Sequence, residues 1–156
     1  MTAQWAKLSA VLVATLLSAG SALAETPPAP LLSLAEAKAV AERAERAAAE
    51  KKIDVAIVVV NREGRVILSH RMDGVSFVNL ALAEKKAVTA AAAGVPTSVL
   101  EQAVDSGKAS LLSVPEISLV GGAVPLMLGA RIIGGVGISG GSTTDDEKIA
   151  SAGADR

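Results

Sequence analysis

The 156-residue chain carries 15 basic and 16 acidic residues, a formal charge of −1, and no cysteine. Disulfides, thiolate metal sites and cysteine nucleophiles are therefore excluded, and with no basic block or aromatic stacking platform nucleic acid is not an expected partner. One Trp, one Phe and no Tyr within a 51% hydrophobic composition leave a core of Ala, Val, Leu and Ile, whose small side chains bury little area each and favour self-association.

The first element is a targeting signal. Lys7, the apolar run from Leu8 to Leu17 and the Ala22-Leu23-Ala24 cleavage pattern make residues 1–24 a secretory signal peptide, too short to serve as a membrane span. The expected mature protein starts at Glu25, lacks Lys7 and so has 14 basic residues against 16 acidic ones, and is periplasmic or secreted. Residues 25–31, with three prolines in "ETPPAPL", read as a flexible lead. The stretch 32–156 is the length of one ordinary domain.

Ser33 opens that domain with Glu36 three positions later, the reciprocal arrangement that satisfies backbone donors at a helix start. Leu34, Ala37, Ala41, Ala44 and Ala48 then recur on one face, predicting an amphipathic helix to about Lys51, with Glu42, Arg43, Glu45 and Arg46 covering the others. "IDVAIVVVN" is β-branched and almost wholly apolar, the pattern of a strand buried on both faces. "REG" supplies a turn and "RVILSH" a second strand, whose alternation places Val66, Leu68 and His70 on one side and Ile67, Ser69 and Arg71 on the other. "SFVNLALAEKKAVTAAAAG" predicts a helix ended by Gly94 and Pro96, and "TSVLEQAVDSG" a shorter one ended by Gly107. From Ile117 onward, apolar runs broken by glycine predict two or three strands around turns at Gly121-Gly122 and Gly129-Ala130. A last helix starts near Thr144, capped with Glu147. The order α-β-β-α-α-β-β-α predicts an α+β fold, a mostly antiparallel sheet flanked by helices.

Several residues invite chemistry. The single histidine, His70, stands in "SHRMDG" at a strand end, where it suits either a metal or haem-iron ligand or a strand-end cap. Met72 and Met127 are soft ligands or core filler. Arg71 and Asp73 pair locally and organise the turn before Gly74. Lys86 either points inward to an acidic group of a ligand or is solvated beside Lys85. Gly135-Val136-Gly137-Ile138-Ser139-Gly140 matches a dinucleotide fingerprint literally, but the chain provides neither the following strand nor the acidic residue about 20 positions on that a Rossmann unit needs. The "SGGST" amides of Gly140 and Gly141 still face a helix N-terminus, which favours an anion. Asp145, Asp146 and Glu147 are accounted for by the helix dipole rather than by a metal. No Ser-His-Asp set or nucleophile elbow is present.

Taken together, "VAIVVVNREGRVILSHRMDG", "AEKKAVTAAAAGVPT", "VGGAVPLM" and "RIIGGVGISGGSTTDDEKIASAG" resemble the GlcG/HbpS family, the haem-degrading or haem-binding domain also found at the C-terminus of PduO-type proteins. The similarity runs from about Leu32 to Gly153. It implies a profilin-like domain with a central antiparallel sheet, assembly into dimers or larger oligomers, tetrapyrrole binding, and for exported members haem or iron sensing beside a membrane sensor partner. Arg71, Asp73, Gly74, Lys86, Thr89, Gly122, Pro125 and Gly140 fall on the motifs shared with that family.

The resulting expectation is an exported binding protein for haem or a related tetrapyrrole. His70 or Met72 would face the iron, Arg71, Lys86 or the Gly140-Gly141 amides would face the propionates, and Asp73 would lie in the same site. The competing expectation is an enzyme or accessory protein of small-molecule catabolism, with Arg71 and Lys86 clamping a small carboxylate and Asp73 or His70 as acid or base. Both place the "SHRMDG" corner and the glycine-rich hairpin on one shared hollow.

Overall fold

A computed structural model describes residues 32–155. The signal peptide, the proline-rich lead and Arg156 lie outside the described residues. Helix α1 (Leu34–Lys51) has its expected reciprocal cap, with Glu36 N donating to Ser33 Oγ at 3.2 Å and Ser33 N to Glu36 Oε2 at 3.0 Å. Ala37, Val40, Ala41, Ala44 and Ala48 form its buried stripe, whereas Leu34, expected to join them, is 52% exposed and Leu32, just before the helix, is buried instead.

The strands are β1 (Ala56–Asn61), β2 (Val66–Arg71), β3 (Ala123–Leu128) and β4 (Arg131–Ser139), ordered β2-β1-β4-β3 and antiparallel throughout. The helices after β2 are α2 (Phe77–Ala93), α3 (Thr97–Asp105), a 3₁₀ turn (Ala109–Ser113) and, after β4, α4 (Thr143–Ala154). The α+β expectation holds. Only two strands follow Ile117: residues 117–120 are irregular, Gly121-Gly122 leads into β3, and Gly129-Ala130 turns β3 into β4.

Strand β1 is buried on both faces, as its run of Val and Ile requires. Val55, Ile57 and Val59 join the core beneath α1 and α4, while Ala56, Val58 and Val60 join the core beneath α2. Alternation in β2 is broken. The register passes from Val59↔Leu68 to Val60↔Val66, so Ile67 is an extra residue, and both Ile67 and Leu68 pack toward the α1 side. This bulge moves Val66 away from the side shared by Leu68 and His70, because one inserted residue reverses every side chain before it.

The glycines of β4 explain how α2 lies on the sheet. A Cβ at Gly135 would come within 2.4 Å of Ala87 O, and one at Gly137 within 2.1 Å of Ala83 O. Ala83, Ala87 and Ala91, one per turn, occupy the groove those glycines leave. The sequence that imitates a phosphate loop is a helix-packing surface.

The start of α4 also differs from expectation. Ser142, not Thr144, is the cap, its hydroxyl accepting from Asp145 N at 3.1 Å. Glu147 instead reaches α3, accepting from Ser98 N at 3.2 Å and Ser98 Oγ at 2.8 Å.

Candidate functional site

The "SHRMDG" corner and the end of β4 lie at one end of the sheet. His70 is opposite Ile57, which is opposite Ile138 on its other side. Both segments close on the residues entering β1: a Cβ at Gly74 would meet Asp54 Oδ2 at 2.9 Å, and a Cβ at Gly140 would meet Asp54 O at 2.3 Å. The two segments meet at Asp54, whose side chain lies against Gly74 and whose backbone lies against Gly140, where the shared hollow was expected.

At the corner itself, the β2 register directs His70 to the α1 side of the sheet. There its Nδ1 lies 2.5 Å from Glu45 Oε1 of α1, with side-chain exposures of 36% and 39%. A carboxylate against Nδ1 holds the ring in place and leaves Nε2 as the nitrogen without a partner among the described residues. Nothing in the sequence marks Glu45, which sits 25 residues away among other helix charges. Ile67 and Leu68, half-buried, precede His70 on the same side.

Met72 is part of the packing. It contacts both cores, its N–H donates to Val55 O at 3.1 Å, and its sulfur accepts weakly from Val55 N at 3.4 Å. Arg71 and Asp73 are exposed, and the local pair expected between them does not form among the described residues.

Lys86 does point inward, but its acidic partner belongs to this chain. Its Nζ donates to Asp146 Oδ2 and to Ile138 O, both at 3.1 Å, and the two side chains are 1% and 2% exposed. Gly122, at φ +124, lies over the pair, with a Cβ there predicted 2.7 Å from the ammonium. The second oxygen of Asp146 accepts from Gly141 N at 2.9 Å. The anion expected at the "SGGST" amides is thus Asp146 itself, and a substrate carboxylate clamped between Arg71 and Lys86 has no support in this arrangement. The helix-dipole account of the three acidic residues is incomplete for the same reason: Asp146 holds α2, Glu147 holds α3, and Asp145 pairs with Lys51 of α1 at 2.9 Å. The Lys51 hydrogen bond, and then that of Ser142, hold the Asp145 carboxyl below the usual carboxylate range. That exposed pair therefore acts above the ordinary carboxylate pKa and is lost as pH falls through the lowered one.

Among the described residues no group of three His, Asp or Glu side chains could cage a metal ion, and no helix is long and apolar enough to cross a membrane. A haem asks for less, since its macrocycle supplies four nitrogens and the protein adds an axial ligand and apolar walls. His70 with Glu45 behind it, beside Ile67 and Leu68, fits that donor set.

Comparisons with known proteins agree on one lineage. A family model described as "Haem degrading protein HbpS-like" matches residues 32–155. The chain is 31% identical over 128 residues to a 15.0 kDa protein from the dhaT-dhaS intergenic region of Citrobacter freundii, covering 80% of this chain and 90% of that one. The crystal structure of an HbpS double mutant from Streptomyces reticuli superposes with a TM-score of 0.75 at 30% identity, covering 81% of this chain and 86% of the other. A crystal structure of a PduOC:haem complex superposes at 0.72 and 30% identity, covering 80% and 94%.

Proposed function

Since the chain belongs to the HbpS-like family of haem-degrading proteins, we propose that it binds haem with His70 Nε2 as the axial ligand. The observation that carries this reading is the His70–Glu45 contact, because a carboxylate behind a ligating imidazole both orients it and raises its basicity. The solved haem complex of the PduO C-terminal domain, a relative of the same fold, supports it. Arg71, opposite Ala56 of the α2-side core, lies on the other face of β2 from His70 and takes no part in this reading. Haemin added to the purified protein should give a Soret band that saturates. His70→Ala should abolish it, and Glu45→Gln should weaken binding by about tenfold or more, the usual range for a lost outer-shell carboxylate. An unchanged band in His70→Ala would overturn the assignment.

The N-terminal signal extends the proposal: the protein meets haem in the periplasm or outside the cell, in haem degradation or in sensing beside a membrane partner. Self-association is supported by α2. Its inner face packs on the sheet, yet Phe77 and Val78 on the outside are 76% and 57% exposed, and Ala81, Leu82 and Val88 line an outer hollow with Glu84 and Lys85. A helix apolar on both sides belongs in an interior. Adjacent Glu84 and Lys85 suit a two-fold contact in which each meets its opposite in the other copy. The mature protein recovered after export should begin at Glu25 and elute as a dimer or larger species. Val78→Glu should convert it to monomer, and a monomeric wild type would remove this part of the reading.

A further inference from the structure

The bulge at Ile67 also turns Arg65 to the α1 side of the sheet. Residues facing each other across an antiparallel pair carry their side chains on the same side. Beyond the bulge Val60 is opposite Val66. Asn61 N then donates to Arg65 O at 2.9 Å and Arg65 N to Asn61 Oδ1 at 2.8 Å, which sets Arg65 opposite Asn61. Asn61 is on the α1 side, like Val59 two positions before it. Its partner in β4 is Gly134, where a Cβ would meet Leu32 Cδ2 at 3.0 Å, and Leu32 belongs to the core beneath α1. Arg65 therefore shares a side with Leu68 and His70. Unbroken alternation would have put it on the other, with Ser69 and Arg71.

Arg65 and His70 bracket a half-open strip of that face. Four strand steps separate them once the extra residue is discounted, about 13 Å at ~3.3 Å per residue. Helix α1 covers the strip unevenly. Its later half touches β2 through Glu45 and His70, whereas its start lies over the far strands, with Leu32 against Gly134 of β4 and Glu36 and Ala39 sharing a hollow with Leu126 and Met127 of β3. The helix thus diverges from β2 toward Arg65, which leaves Ile67 and Leu68 only partly covered. Between an acidic end at Glu45 and a cationic end at Arg65 the strip is apolar. Arg65 is exposed, and its guanidinium has no ion pair among the described residues.

Given haem at His70, on which this step rests, we infer that the macrocycle lies along the strip with its propionate edge toward Arg65, whose guanidinium takes a propionate in a charge-assisted pair. The reverse orientation is opposed, because a propionate beside Glu45 would meet like charge. Arg65 is thereby a specificity-determining residue. It selects a tetrapyrrole with free carboxylates over one whose carboxylates are masked.

Absorbance titrations of the whole protein with haemin and with haemin dimethyl ester, in which both propionates are neutral, test the assignment. Haemin should bind more tightly than the ester by about tenfold or more, the worth of a hydrogen bond to a charged group. Arg65→Gln should weaken haemin by about the same factor, leave the ester unchanged and keep the Soret position, since the axial ligand is untouched. Arg71→Gln, on the opposite face, should alter neither. Equal affinity of the two tetrapyrroles in the wild type, wild-type haemin affinity in Arg65→Gln, equal loss of haemin and ester in that variant, or a matching loss in Arg71→Gln would each overturn the role of Arg65 while leaving a His70-dependent Soret band standing. No Soret band with haemin in the wild type would remove both.

Discussion

Replacing Asp146 with Ala is expected to destabilise the protein by about 3–5 kcal/mol, the cost of leaving one member of a buried ion pair without its partner. The carboxylate serves two groups, one of them an ammonium that cannot reach water. Lys86 is 1% exposed and its remaining contact is one carbonyl, Ile138 O. Gly141 N would lose its acceptor as well, but Gly141 is exposed and water can replace it, so the cost falls on the lysine. Against a total stability of roughly 5–15 kcal/mol, the variant stays folded but melts roughly 10–20 °C lower. The double variant Lys86→Met with Asp146→Leu removes both charges together, and should lie closer to wild type than Asp146→Ala does. Thermal denaturation of the three proteins measures this. A loss below about 1 kcal/mol in Asp146→Ala would mean that water or a rearranged lysine solvates the charge, contrary to the burial seen here.

That ion pair also shows where the sequence stops being legible. Lys86 and Asp146 are 60 positions apart, and each looks locally like an ordinary helix charge. What spacing reveals is periodic: the alanine stripe of α1 with its cap, the doubly buried β1, the small-residue helix α2. These signals are local, because they follow from 3.6-residue and two-residue repeats and from capping chemistry. The bulge at Ile67 is invisible, since the pattern of β2 reads equally well in either register until β1 is paired with it. His70 was found because a lone imidazole is conspicuous. Glu45 was not, because its role exists only once α1 crosses β2. Family resemblance supplied the expected ligand class, and the geometry then moved Lys86, Gly140 and Gly141 from the ligand to the framework. Those three residues hold the β4 end, α2 and α4 together at the place where the site was expected.

The second large effect is expected at Gly137, where even a methyl group should cost 3 kcal/mol or more. Overpacking usually costs about 1–3 kcal/mol because flexible side chains can yield. At Gly137 the obstacles are Ala83 O at 2.1 Å and Ala87 N at 2.7 Å, both backbone atoms of a helix, with Ala87 Cβ at 3.0 Å behind them. Nothing there can rotate away, so α2 must lift off the strand as a body. Lifting it would open the core formed by Ala56, Val58, Val60, Ala83 and Ala87, whose small side chains cannot expand to fill a gap. A companion change separates this account from a side-chain clash. Ala87→Gly removes the methyl contact but neither backbone contact, so Gly137→Ala with Ala87→Gly should remain as unstable as Gly137→Ala alone, or more so, as glycine weakens the helix interior by roughly 1 kcal/mol. Chemical denaturation of both variants distinguishes the cases: substantial recovery in the double variant would show that the helix rests on the strand through its side chains. Failure to recover would show that the glycines of "GGVG" are retained for the closeness of two backbones, which is why a sequence with a nucleotide-binding spelling builds a helix seat instead.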